Sequence, residues 1–314
     1  MAYVDQLIGD NAAGNGPTGV VYEFRARPRP AADVDVIHLT SASAVIGERS
    51  TSEAEQVRRA TQFAKALKRN GVALVRTLHN EDTAGARPTS RAEAILDGAT
   101  TSFIALSPTT RTPSEAIVIR HSHLRDRFLG YPRGESVPGH LLFISPSAVP
   151  AAYEAPLKVF AYADLPDCSL RIVGQIPDSL RASFDRTLTR YPSSISLRDE
   201  PLSDSVRVEE ISLAELVVVA APDDYDSLAM IMLALSLDRP VLVEDTPATR
   251  LLADEVGHDW VRLHTGRLTA VTLEAAVGTL RDQRPTGRPR LDARDPNAIA
   301  AEYAAVYRAA AASS

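Results

Sequence analysis

The chain has 314 residues and a mass of 33.8 kDa, with 45% hydrophobic and 24% charged residues. That length favours two domains of roughly 150 residues each, and the composition excludes a disordered, collagen-like or disulfide-scaffold chain. The formal net charge of -6 is uneven, because residues 1–138 balance at +2 and the remainder at -8. Basic residues of the first part gather in Arg25, Arg27 and Arg29, then in Arg58, Arg59, Lys65, Lys68 and Arg69. That pattern suits an anionic membrane surface as well as a solvated helix face. With a sequence pI near 5.7 and no basic stripe interleaved with aromatics, no nucleic-acid partner is expected. No apolar run approaches the roughly 20 residues of a membrane span, and the opening MAYVDQLIGDNAAGNG lacks a signal-peptide layout. A cytoplasmic protein is expected, at most peripheral at the inner face of the membrane. The single Cys168 can form neither an internal disulfide nor a thiolate metal cluster, and reads as structural.

In chain order, VDVIHL (34–39) is a β-branched apolar strand, and 52–71 is a helix with an acidic first turn, a basic last turn and a closing glycine. VALVRTLH (72–79) is the next strand, followed by a polar loop, a helix over 91–99 and strands over 102–107 and 115–121. This alternation predicts a parallel sheet with helices on both faces. YPRGESVPG (131–139) concentrates proline, glycine and polar residues and is the expected linker. The second half repeats the pattern with strands at 140–146, 169–175, 194–199, 214–222 and 239–245 and helices around 153–163, 179–191 and 227–238. A bridge rich in arginine and proline then leads to a last helix over 295–312, expected to pack back on the first domain. The predicted fold is α/β, with two facing doubly wound parallel-sheet domains and a cleft between them. The domains are 1–135 and 140–294, with residues 295–314 returning to the first.

Five segments in the right order resemble bacterial glycosyltransferases of the GT-B type, particularly exopolysaccharide and glycolipid enzymes that use nucleotide-sugar donors. AYVDQLIGD (2–10) resembles an "NPY" helix and DVDVIHLT (33–40) a "DVVHLHW" strand. VALVRTLHNED (72–82) resembles "VVRTVHN", IRHSHLRDRF (119–128) resembles "IPHGHYRDWF", and DSLAMIMLALSLDRPVLVED (226–245) resembles "SGSLLLALSFGRPVLVPD". The resemblance covers nearly the whole chain. It implies a Rossmann-like GT-B fold and a transferase, with the nucleotide-sugar held mainly by the second domain and a glycan or lipid-linked sugar acceptor mainly by the first. Against the family, the chain reads as beginning after the first strand, so that either the sheet is short by one strand or the start is atypical.

Candidate site residues follow from motif and position together. A helix starting at Ser227 after the loop APDDYD presents free N–H groups and a positive dipole end to a diphosphate, placing Asp226, Ser227 and Leu228 at the donor. A plain N-capped helix end accounts for the same residues. Gly174, closing SLRIVG, is a point where backbone and nucleotide approach closely, or simply a turn glycine. His79 ends a strand and opens a polar loop, so it is expected in the cleft opposite the Ser227 helix, donating to a sugar hydroxyl or the departing phosphate. Glu81 and Asp82 are the candidate general bases beside it. His121 is assigned a positioning role, with His123, Arg125 and Asp126 as contacts between the lobes. No three-ligand set is spaced for a metal, so neither metal nor cofactor is expected beyond the donor itself.

The sequence also departs from the family. The arginine and lysine of "GLIRPYKG" are missing from ISPSAVPAAYEAP (144–156), after which the next cations are Lys158 and Arg171. Tyr225 and Leu233 stand near the places of the family's glutamate pair. These departures support an alternative, a non-catalytic glycosyltransferase-like protein with a degenerate donor site that binds a glycan or stabilises a partner.

Overall fold

A computed structural model describes residues 7, 19–48, 50–78, 90–144, 150–174, 176, 178–191, 194–200, 202–219 and 225–313, with backbone alone at 150–155, 183, 225 and 226. The chain forms two compact units, Met1–Ser122 together with Arg294–Ser314, and His123–Ala293.

The first unit contains β1 (Val36–Leu39), a short helix α1 (Ser43–Ile46), α2 (Glu53–Asn70), β2 (Ala73–Leu78), α3 (Arg91–Gly98), β3 (Ser102–Ala105) and β4 (Ala116–Val118). Its four strands are all parallel and lie in chain order. Side chains alternate along each strand: Ile37, Leu39 and Leu74 face α2 and α3, whereas Val36, Ala73, Val75 and Ile104 face the other way. β4 is shorter than the sequence suggests. Its ladder closes with the Ile119 N–H on the Ala105 carbonyl, so His121 lies beyond the strand.

The second unit contains β5 (His140–Ile144), α4 (Pro150–Tyr162), β6 (Ser169–Val173), α5 (Asp178–Arg190), β7 (Ile195–Arg198), α6 (Asp204–Leu213), β8 (Leu216–Val218), α7 (Tyr225–Ser236), β9 (Val241–Glu244), α8 (Pro247–Val256), β10 (Val261–His264) and α9 (Ala270–Asp282). Its six strands are parallel in the order β10-β9-β8-β5-β6-β7. α6, α7 and α8 cover one face through Leu142, Val217 and Val243, and α4, α5 and α9 cover the other through Phe143, Ile172 and Leu242. Burial on both faces is why LVVV and PVLV read as continuous apolar runs.

The chain then returns to the first unit through a 3-10 turn, Asp292–Arg294, and α10 (Pro296–Ala312). Ile299, Tyr303, Val306, Tyr307 and Ala310 of α10 close the open face of the first sheet. The change of unit falls at Ser122/His123, ahead of the segment 131–139 that composition marks as a linker. That segment is bound to the second unit: the N–H groups of Gly134, Val137 and Gly139 reach Ser212 Oγ, the Leu213 carbonyl and a Glu215 carboxylate oxygen. Gly139 has φ 74°, and a Cβ there would collide with the Asp167 carbonyl. Its glycine therefore serves a tight turn.

Candidate functional site

In the second unit, β5 to β7 run outward on one side and β8 to β10 on the other, so the order reverses between β5 and β8. α4, which follows β5, packs on one face of the sheet, and α7, which follows β8, packs on the other. β5 and β8 thus lead to helices on opposite faces of the sheet, a divergence at their carboxyl ends. In open α/β sheets that divergence is where ligands bind.

α7 supplies the amino end at this crevice. It begins at Tyr225, two residues before the start read from the sequence, so Ser227 is the third helical residue. The first-turn N–H groups of any α-helix lack partners within the helix and carry the positive end of its dipole. Ser227 is buried and Leu228 half-buried. The Asp226 side chain lies outside the described residues, as does the loop 220–224. Behind this end, Met230, Ile231, Met232, Leu233 and Leu235 are all buried, which fixes the helix in the core. Gly174 ends β6, the neighbour of β5, with φ 141° and its N–H on the Arg198 carbonyl. That φ calls for glycine whether or not a nucleotide approaches.

The arginines of β6 and β7 have carboxylate partners. Arg171 of β6 donates to Glu210 of α6, with Nη2 at 3.0 Å from Oε1. Arg198 of β7 donates to Glu209 at 2.8 Å and to Glu210 at 3.0 Å, and also pairs with Glu200. Burial opposes ionisation of Glu210, but hydrogen bonds from the two guanidiniums outweigh it and hold the carboxyl below its ordinary range. Arg171, the first arginine after the 144–156 stretch, is thus half of a structural ion pair. Lys158 is exposed on α4. Among the described residues, no group of three or more His, Cys, Asp or Glu side chains could hold a metal ion.

In the first unit, the described ends of β1 and β2 carry a hydrogen-bonded chain that the sequence reading does not contain. His38 Nδ1 lies 2.6 Å from the Tyr307 hydroxyl, and Nε2 lies 2.7 Å from Thr77 Oγ1. Strand alternation turns His38 away from Ile37 and Leu39, but Tyr307 comes from 269 residues later, and no local signal could find it. Arg76, the arginine of VALVRTLH, is buried and pairs with Asp97 of α3. His79, Glu81 and Asp82 lie outside the described residues. His121 is fully buried; its Nδ1 is 2.9 Å from the Ser122 carbonyl, so that nitrogen carries the proton. Arg294, also buried, donates to the His121 carbonyl at 3.0 Å. Within the second unit, the Leu124 N–H reaches Ser236 Oγ at 2.8 Å, and Arg125 donates to the Pro289 carbonyl at 2.7 Å. Leu124 and Phe128 belong to the second unit's core, so this part of the HSHLRDRF segment is structural.

Two all-parallel sheets, each covered by helices on both faces, define a GT-B architecture. No family profile matches the chain. A GDP-mannose:glycolipid 4-beta-D-mannosyltransferase of Xanthomonas campestris pv. campestris is 32% identical over 237 residues, covering 73% of this chain and 66% of the relative. The chain thus spans about two thirds of the length of that curated relative. Among solved structures, Anabaena Alr3699/HepE in complex with UDP aligns with a TM-score of 0.57 at 14% identity, over 89% of this chain and 75% of that one. Sucrose-phosphate synthase from Thermosynechococcus elongatus aligns with a TM-score of 0.60 at 14% identity, over 89% and 74%. The chain belongs to the bacterial GT-B glycosyltransferases.

Proposed function

We propose that this protein transfers a sugar from a nucleoside-diphosphate-sugar to a glycolipid acceptor without a metal ion, working at a membrane surface as a peripheral protein. The observation that carries the reading is the 32% identity to a transferase named for GDP-mannose and a glycolipid. It is supported by the amino end of α7 standing at the reversal point of the second sheet. In this reading, the first-turn N–H groups of α7 hold the diphosphate and take up charge as the leaving group departs. His79 supplies a polar contact to the sugar or the departing oxygen, and Glu81 takes the acceptor proton if the sugar inverts.

The Arg171–Glu210 pair gives the non-catalytic alternative a concrete basis, because it engages the first arginine after the stretch where the family's cations are missing. One experiment separates the two readings. Melting is followed with GDP, UDP, TDP and their sugars, with and without chelator, and transfer is assayed with the ligand that binds. A ligand at 100 times its dissociation constant should add about 2.7 kcal/mol of stability. The shift and the turnover should survive chelator, and His79→Ala should lower turnover about 100-fold or more with little change in melting. Nucleotide binding without transfer would establish the alternative, and a need for magnesium or manganese would refute the metal-free reading.

A further inference from the structure

The His38–Thr77–Tyr307 chain has no part in the chemistry proposed above, yet it lies toward the carboxyl ends of β1 and β2, the end at which parallel α/β sheets bind ligands. His38 is the third of four residues in β1, and Thr77 the fifth of six in β2. In the register of the pair His38 stands opposite Val75, so Thr77 lies two residues further along the same face. Both ring nitrogens are engaged within the protein, Nδ1 with the Tyr307 hydroxyl at 2.6 Å and Nε2 with Thr77 Oγ1 at 2.7 Å. His38 therefore holds other groups in place and does not itself offer a nitrogen to a substrate.

The mount of this chain is rigid. Tyr303 and Tyr307 of α10 are buried, and their rings lie 6.0 and 5.5 Å from the imidazole. Tyr22 meets Tyr307 edge-on at 6.1 Å from a third segment of the unit. Burial pushes the Tyr307 phenol well above its ordinary pKa, so it keeps its proton. Either sense of donation, Tyr307 O–H to Nδ1 or Nδ1–H to Tyr307, leaves the heavy atoms where they are. Around the chain the sheet face is filled by Val36, Ala73, Val75 and Ile104, so apolar side chains suffice for packing here. A buried polar chain adds little net stability over such packing, but each of its bonds fixes a side chain in one position.

We propose that Tyr307 and His38 are positioning residues for sugar transfer, holding the Thr77 hydroxyl and with it the carboxyl end of β2, from which the sequence runs in two residues to His79. The proposal rests on the reading of His79 as a polar contact to the sugar. It gives α10 a part in the reaction besides covering the first sheet.

The test uses the full chain, with GDP-mannose and UDP-glucose as donors and octyl glucoside as the glycolipid probe. Tyr307→Phe keeps the ring and removes only the hydroxyl. It should lower kcat about tenfold or more, leave the donor KM and the nucleotide-induced melting shift unchanged, and lower the melting temperature only slightly. Thr77→Val should do the same, and Thr77→Ser, which restores the hydroxyl, should recover most of the turnover. Joining Tyr307→Phe to Thr77→Val should lose no more than either alone, because both cut one chain. Protein labelled with nitrogen-15 in histidine supplies a readout free of activity. The ring resonances of His38 and His79, assigned by their loss in His38→Gln and His79→Ala, should both move in Tyr307→Phe. Unchanged kcat in Tyr307→Phe and Thr77→Val, additive losses in the double variant, or a His79 resonance that stays in place would overturn the proposal. So would a loss of turnover no larger than the loss of folded protein. An inactive wild-type chain would refute the transferase reading alone, since the ring resonances still decide whether Tyr307 acts on His79.

Discussion

Glu210 sits between two guanidiniums, and its carboxylate is 4% exposed. Glu210→Ala takes the carboxylate from a partly exposed Arg171, while Arg198 keeps Glu209 and Glu200, so it should cost about 1–3 kcal/mol, measured by denaturant unfolding. The pH dependence has a definite sign. Hydrogen bonds from Arg171 and Arg198, working against burial, hold the Glu210 carboxyl below the ordinary 4.5. Its contribution is therefore present above about pH 4.5 and is lost as pH falls through the lower folded value. His140 and His264 are both pushed below 6.5 by burial. Each favours the folded state above pH 6.5 and opposes it as falling pH charges the unfolded chain first. Melting should hold steady from pH 8 to about 7 and decline below about 6.5. His140→Gln should flatten the first part of that decline, and Glu210→Gln the part below about 4.5. A profile unchanged in both variants would show that other groups set it.

α10 shows what an element can carry. Its cap is local, with Asp295 accepting from the Ala298 N–H at 2.9 Å and Pro296 at the first helical position. Its stability comes from packing, because Tyr303 is fully buried among Val75, Ile104 and Ile119. Tyr303→Ala should cost about 3–5 kcal/mol, whereas Asp295→Ala should cost about 1 kcal/mol, both read by unfolding. This helix is legible in the sequence because alanine-rich periodicity, a capping aspartate and an N1 proline agree. α6, DSVRVEEISL, is not, since alternating Val206 and Val208 followed by Ile211 imitate a strand. α8 is marked by Thr246 and Pro247, but lies between stronger apolar runs. α7 is legible because the break from APDDYD to an apolar run marks it. The His38–Thr77–Tyr307 chain is not, since Tyr307 arrives from the far end of the sequence. The linker reading at 131–139 follows composition, whereas the backbone bonds to Ser212, Leu213 and Glu215 that attach this segment to the second unit leave no local trace.

At the scale of the whole molecule the two units differ in how the chain builds them. The second, His123–Ala293, is one continuous stretch with a complete sheet and cores on both faces. The first is split, since residues after Arg294, beside Leu7, Val20 and Tyr22, supply the cover on one face of its sheet. A fragment of residues 123–293 keeps every buried partner of its own sheet, so it should unfold in one cooperative transition. A fragment of residues 1–122 loses Ile299, Tyr303, Val306, Tyr307 and Ala310 and bares Ala73, Val75 and Ile104. A small domain with stability of about 5–15 kcal/mol cannot lose half a core and stay folded, so this fragment should show no cooperative transition. Adding a peptide of residues 294–314 should restore one. The same contrast locates donor binding. If the amino end of α7 holds the diphosphate, the 123–293 fragment should keep a nucleotide-induced rise in melting temperature, because the strand ends and helix forming that crevice all belong to it. Lost acceptor groups should lower turnover without abolishing the shift. A folded 123–293 fragment that shows no shift with any nucleotide, where the full chain does, would place the donor contacts outside the second unit.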